Sequence, residues 1–161
     1  FFEPGLEDLL AAALATGRLR FTTSYAEAAE HGEIHFLCVG TPQRADSDAA
    51  DTSYVESAVE GLGPLLVRPC LVVGKSTVPV GLAEQMRDRL VELAPAGADV
   101  HLAWSPEFTR EGFAVQDALA VNAGQGRRGL PAKRDHFGCA QRAAVVAYIA
   151  GRRLTLQVLH L

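Results

Sequence analysis

Three nearly unbroken apolar runs punctuate the chain: "IHFLCVG" at 34–40, "CLVVGKST" at 70–77 and "ADVHLAWSP" at 98–106. A strand buried on both faces reads this way and belongs to a parallel sheet, whereas a strand with one wet face alternates apolar and polar residues. Between the runs, apolar residues recur at helical spacing. "TSYVESAVEGLGPLLV" predicts an amphipathic helix with Thr52 or Ser53 near its cap, and "VGLAEQMRDRLVEL" predicts another, started by Pro79. Upstream, "EPGLEDLLAAALATG" pairs a Pro-Gly turn with helix formers as far as Gly17, a C-cap residue. "RLRFTTS" predicts a short strand, Ser24 caps the Ala-rich helix "YAEAAEHG", and "QRADSDAAD" is a polar loop.

Strands alternating with helices at this spacing predict βαβ units and an α/β fold built on a parallel sheet. In such sheets ligands bind outside the carboxyl ends of the strands. Those ends are "VGTP", "KSTVP" and "WSPE", all rich in hydroxyls, Gly or Pro, and they are expected to converge on one rim. That places Thr41, Thr77 and Glu107 at a common mouth. Ser105 and Pro106 suit the N-cap and first position of a following helix, on which Glu107 and Glu111 would share a face, four residues apart. Taken alone, those carboxylates read as a solvated face and the two threonines as turn residues.

Composition narrows the classes. The 161 residues suffice for one domain with a sizeable core, 48% apolar and 21% charged, and the net charge of −4 carries no nucleic-acid footprint. No apolar run is long enough to span a bilayer, and no signal peptide or membrane attachment is read. Cys38, Cys70 and Cys139 form no CxxC pair, which points to a reducing, cytoplasmic setting and argues against a disulfide framework or zinc. Cys38 and Cys70 read as small buried hydrophobes, Trp104 as core, and the five histidines show no metal-ligand spacing, so no metal is expected. After about Asn122 the chain turns Gly- and Arg-rich; a basic block of this kind can bind nucleic acid or acidic lipid, but residues 122–161 are read first as a separate tail, solvated or disordered. Within it "GQGRRG" spells G-x-G-x-x-G, but Pro131 follows at once and no strand-to-helix context surrounds it, so the match is read as chance.

Five segments together resemble the UDP-glucose/GDP-mannose dehydrogenase family: "FFEPGLEDLL", "FLCVGTP", "ADTSYVESAV", "VVGKSTVPVG" and "WSPEFTREGFAVQD", in family order and spacing over Phe1 to about Leu119. "SPEFTREG" is more similar to the UDP-glucose branch than to the amino-sugar branches. The resemblance implies a Rossmann-like, doubly wound domain over residues 1–121. It also implies NAD as cofactor, a nucleotide-sugar such as UDP-glucose as substrate, and oxidation of the sugar C6 alcohol to a carboxylate. A cysteine in a later domain carries a thioester intermediate in such enzymes. Thr41 matches a position lining the NAD site. Thr77 matches a hydroxyl near the reacting carbon that holds the catalytic water. Glu107 matches the general base of thioester hydrolysis, and Glu111 the carboxylate near the nicotinamide. Residues Glu107, Phe108, Thr109, Arg110 and Glu111 match the stretch that holds the nucleotide-sugar. Such enzymes dimerise or form larger homo-oligomers.

The chain departs from the family in three ways. The glycine-rich first βα turn and the acidic second strand are expected ahead of Phe1, so the sheet is expected to lack its first βαβ unit. Ser105 and Thr109 stand where Asn and Leu are usual. The tail matches no family continuation, as a frameshift would produce, and Cys139 in "HFGCAQR" lacks the surroundings of the nucleophile. A partial sheet of three parallel strands with an irregular tail is expected, inactive by itself. In family order the first strand would lie beside residues 34–40, so that edge is left for "RRLTLQVLHL", for a strand out of register, or for association. A GDP-mannose enzyme, a non-catalytic nucleotide-binding or association module, and a gene remnant are the competing readings.

Overall fold

The computed structural model describes residues 2–17, 19–106, 110–116 and 154–157. It divides into two units, one of residues 22–107 and 136–161, the other of residues 1–21 and 108–135.

The larger unit is a parallel sheet in a partial Rossmann-like α/β arrangement. Its elements are α2 (Tyr25–His31), β1 (Ile34–Leu37), α3 (Ser53–Leu62), β2 (Cys70–Gly74), α4 (Leu82–Leu93), β3 (Val100–Trp104) and β4 (Leu154–Gln157). The strand order is β3-β2-β1-β4, every pair parallel. The register places Ile34 beside Leu71 and Cys70 beside Val100. The three apolar runs thus become three adjacent strands, as their continuous hydrophobicity predicts. The three expected parallel strands are present, and β4 adds a fourth from within "RRLTLQVLHL", one of the alternatives expected for this edge. Strand β4 lies on the free edge of β1, with Ile34 opposite Leu154 and Leu37 opposite Gln157. The physical reason is the unpaired backbone of β1, whose amides and carbonyls need partners.

Alternation along each strand sorts the apolar residues onto two faces. Leu37, Val72 and Val100 join Val55, Ala58, Val59 and Leu62 of α3 and Leu82, Met86 and Leu90 of α4 in the main core. Ile34 and Val73 form a smaller cluster with Phe36 and Leu71. Arg89 of α4 reaches Glu60 of α3 at 2.6 Å and Glu92 at 2.7 Å across the outer surface, and this pairing pulls the Glu60 carboxyl below its usual range. Arg68 closes the C-terminal end of α2 by donating to the carbonyls of Ala29, Glu30 and Gly32.

Local chemistry explains most element ends. Ser24 caps α2 by accepting the Glu27 amide at 3.3 Å, as expected. Thr52 stands at the N-cap of α3, as expected, but its side chain does not cap: the Thr52 hydroxyl donates to Glu56 at 2.7 Å, and Asp51 accepts the Ser53 amide at 3.0 Å. Helix α4 begins at Leu82, after Gly81 in a left-handed conformation at φ 91°, rather than at Pro79. Residues 19–24, expected as a strand, are irregular. No described strand runs beside them, and a lone β segment cannot satisfy its own hydrogen bonds.

In the smaller unit, Gly5 at φ 81° leads into α1 (Leu6–Ala15), none of whose residues is buried. Residues 110–113 form a turn closed by the Phe113 amide on the Arg110 carbonyl at 3.1 Å, and 114–116 are helical. No described helix is long and apolar enough to cross a membrane.

Candidate functional site

The carboxyl ends of β1, β2 and β3 lie side by side because the strands are parallel and in order. Two hydrogen bonds extend the ladder past the strands: the Lys75 amide donates to the Leu37 carbonyl at 2.9 Å, and the Ser105 amide to the Gly74 carbonyl at 2.8 Å. Beyond them the segments "VGTP" and "KSTVP" are tied together. The Thr41 hydroxyl donates to the Thr77 carbonyl at 2.8 Å, and the Ser76 hydroxyl donates to the Val39 carbonyl. From β3, the Trp104 indole N–H donates to the Ser76 carbonyl at 2.8 Å. Residues 75–77 are therefore held from two neighbouring strands at once, and Thr77 is exposed on this rim while Thr41 is half-buried.

Trp104 was read from the sequence as core, and it does pack against the core, but it has this second task. Its ring lies over Gly74, where a Cβ would come within 2.5 Å of it. Gly74 is thus required at the end of β2 by the close approach of an aromatic plane. The loop leaving β1 is also ordered. Gln43 and Ala50 form an antiparallel bridge, and the Gln43 amide donates to Asp48 at 2.7 Å.

The remaining site residues are placed unevenly. Glu107, Phe108 and Thr109 lie outside the described residues, as do "GQGRRG" and Cys139. Arg110 is exposed in irregular chain, with its guanidinium carbon 4.8 Å from the centre of the Phe113 ring. Glu111 is exposed in the turn before the helical residues, so it does not sit on a helix starting at Ser105. That turn is dictated by Gly112, whose φ of 77° a helix does not allow. Ser105 itself is buried at the end of β3. Cys38 is exposed one position past β1, between the buried Leu37 and Val39, correcting its reading as a buried hydrophobe, because β1 ends at Leu37. Cys70 is buried at the opposite end of the sheet, and burial pushes its thiol up.

The chain matches the UDP-glucose/GDP-mannose dehydrogenase family, NAD binding domain, over residues 1–125. It belongs to that family. A UDP-glucose 6-dehydrogenase of Rhizobium meliloti is 43% identical over 116 residues, and one of Pseudomonas aeruginosa is 44% identical over 120. These matches span 72% of this chain and 26% of each relative, so the dehydrogenase segment here covers about a quarter of their length. The structure of a UDP-glucose dehydrogenase from the archaeon Pyrobaculum islandicum superposes with a TM-score of 0.70 and 34% identity, over 97% of this chain and 35% of that one.

The family's NAD binding domain implies NAD, and the rim can be tested for it. A dinucleotide cradle needs a glycine-rich strand-to-helix turn whose amides meet the pyrophosphate at a helix start. The described strand-to-helix connections, residues 38–52 and 75–81, hold no G-x-G-x-x-G. What they do offer is hydroxyls at adjacent strand ends. The described residues therefore offer hydroxyls at the rim and no pyrophosphate cradle.

Proposed function

We propose that this chain is part of an NAD-dependent UDP-glucose 6-dehydrogenase that oxidises UDP-glucose to UDP-glucuronate, and that it does not complete the reaction by itself. Residues 1–121 supply the dehydrogenase part and 122–161 a separate tail. The observation that supports this reading is the tie between Thr41 and Thr77 across neighbouring carboxyl ends. NAD would take up the electrons of the alcohol oxidation.

The chain's own residues have the following parts. Thr41 and Thr77 border NAD, and Thr77, exposed on a segment held by Trp104 and Thr41, presents its hydroxyl to the water that hydrolyses the thioester. Glu107 takes the proton from that water, since a carboxylate within hydrogen-bond reach is a competent general base. Glu107 through Glu111 hold the nucleotide-sugar. The setting is cytoplasmic, where NAD and nucleotide-sugars are found, and the assembled enzyme is a homo-oligomer. GDP-mannose is the second reading, because the family takes both sugars.

The test is NMR titration of the intact chain with NAD, UDP-glucose and GDP-mannose in turn. UDP-glucose is expected to shift the amides of Arg110 and Glu111, and NAD those of Thr41 and Thr77. Thr77→Val is expected to weaken NAD binding by about three- to ten-fold, the value of one hydrogen bond. Shifts with GDP-mannose alone would move the substrate assignment, and no response to any of the three would overturn it.

A further inference from the structure

Glu3 is buried, 7% exposed, and its carboxylate reaches across the sequence. One oxygen accepts the Gly112 amide at 2.8 Å and the other the Val115 amide at 3.0 Å, from residues 109 and 112 positions away. All of these groups belong to the smaller unit. Amides at the start of a helical turn have no partner within the turn, and a Ser, Asp or Asn beside it is the usual remedy. Here the adjacent residues are Arg110, Glu111, Gly112 and Phe113, and Glu111 is exposed. A distant carboxylate serves instead. Burying it costs desolvation, which two charge-assisted hydrogen bonds offset. A local cap would only have started the helical turn; this one also anchors it to the segment leading into α1, where Gly5 follows Glu3 by two residues.

We infer that Glu3 is a positioning residue for the nucleotide-sugar segment: by clamping the Gly112 and Val115 amides it sets the direction in which Arg110 and Glu111 leave the chain. The inference rests on the reading of Arg110 and Glu111 as substrate contacts. Gly112 at φ 77° makes the turn between those residues and the clamp, and the Arg110 guanidinium stacks back over Phe113 within it. Small displacements of positioning groups weaken recognition strongly, so an anchored turn presents its side chains where a loose one would not. Glu3→Gln keeps the size of the side chain but offers one acceptor oxygen, and it turns an amide group toward the second N–H.

The experiment compares the intact chain with Glu3→Gln by hydrogen exchange and by NMR titration with UDP-glucose. In the variant the Gly112 and Val115 amides are expected to exchange about ten- to hundred-fold faster. The β1, β2 and β3 amides should be unchanged, and the UDP-glucose Kd should rise by about ten-fold or more. Gly112→Ala leaves the Glu3 side chain in place but displaces the amide it holds, and if Glu3→Gln does not fold it is expected to speed exchange at Val115 and weaken UDP-glucose binding likewise, while unchanged exchange and Kd overturn the clamp. Unchanged exchange at Gly112 and Val115 overturns the clamp. Faster exchange with an unchanged Kd overturns the positioning role and leaves the functional reading intact. A parent chain that shows no response to UDP-glucose overturns the functional reading, and the positioning role with it.

Discussion

His35 lies at the middle of the sheet, 0% exposed, and neither ring nitrogen has a hydrogen-bond partner among the described residues. Burial first, and the Arg68 guanidinium second, push its imidazole down to about 4 from 6.5. The unfolded chain takes up this proton near pH 6.5, so between there and pH 4 it binds more protons than the native state. Stability is complete above pH 6.5 and falls as the pH drops through the folded value, by about 3 kcal/mol in all. Urea unfolding of the parent and of His35→Leu at steps from pH 7.5 to 4 checks this. The variant is expected to match or exceed the parent at pH 7.5, having lost two unpartnered nitrogens, and to depend less on pH. Parallel curves for the two proteins would refute it. The strand was legible around His35 because its neighbours are apolar. The orphaned ring was not, because a histidine's partners are set by what packs on the strand.

At the scale of the element, the end of β2 shows how one contact governs several residues. Trp104 covers Gly74 and donates to the Ser76 carbonyl, so the strand end and the Thr77 segment are one unit. Gly74→Ala is expected to cost about 1–3 kcal/mol, as overpacking does, and Trp104→Leu in the same chain to recover part of it. Urea midpoints of the two single variants and the double variant measure the coupling; additive effects would show that the ring is free to move away. The apolar runs predicted β1, β2 and β3 with ends a few residues too long, because "CVG" and "KST" continue the hydrophobic or β-prone pattern after the ladder has stopped. "RLRFTTS" has strand composition and no strand beside it, and composition carries no information about a neighbour. The threonines at the strand ends were legible because parallel strands put their carboxyl ends on one side. The ties from Trp104 and Glu3 were not, because their partners lie 28 and more than 100 residues away.

For the whole molecule the consequential feature is the pairing of β4 with β1. A parallel sheet with a bare inner edge invites association, and Leu154–Gln157 covers that edge with its own backbone. Amide exchange tests the pairing directly. The amides of Leu154–Gln157 that face β1 are expected to be protected, and Thr155→Pro is expected to speed exchange in Ile34–Leu37 and to promote self-association at high concentration. Unprotected β4 amides in a monomeric parent chain would show the edge to be open.

By itself the sequence determined where strands and helices alternate and which strand ends carry hydroxyls, because apolar runs and turn residues act over a few neighbours. Only the tertiary structure decided which backbone completes β1, which ring closes over Gly74, and which carboxylate holds Gly112 and Val115. Those choices pair groups far apart along the chain. They are settled by the need to partner buried amides and fill space, and no local pattern records that need.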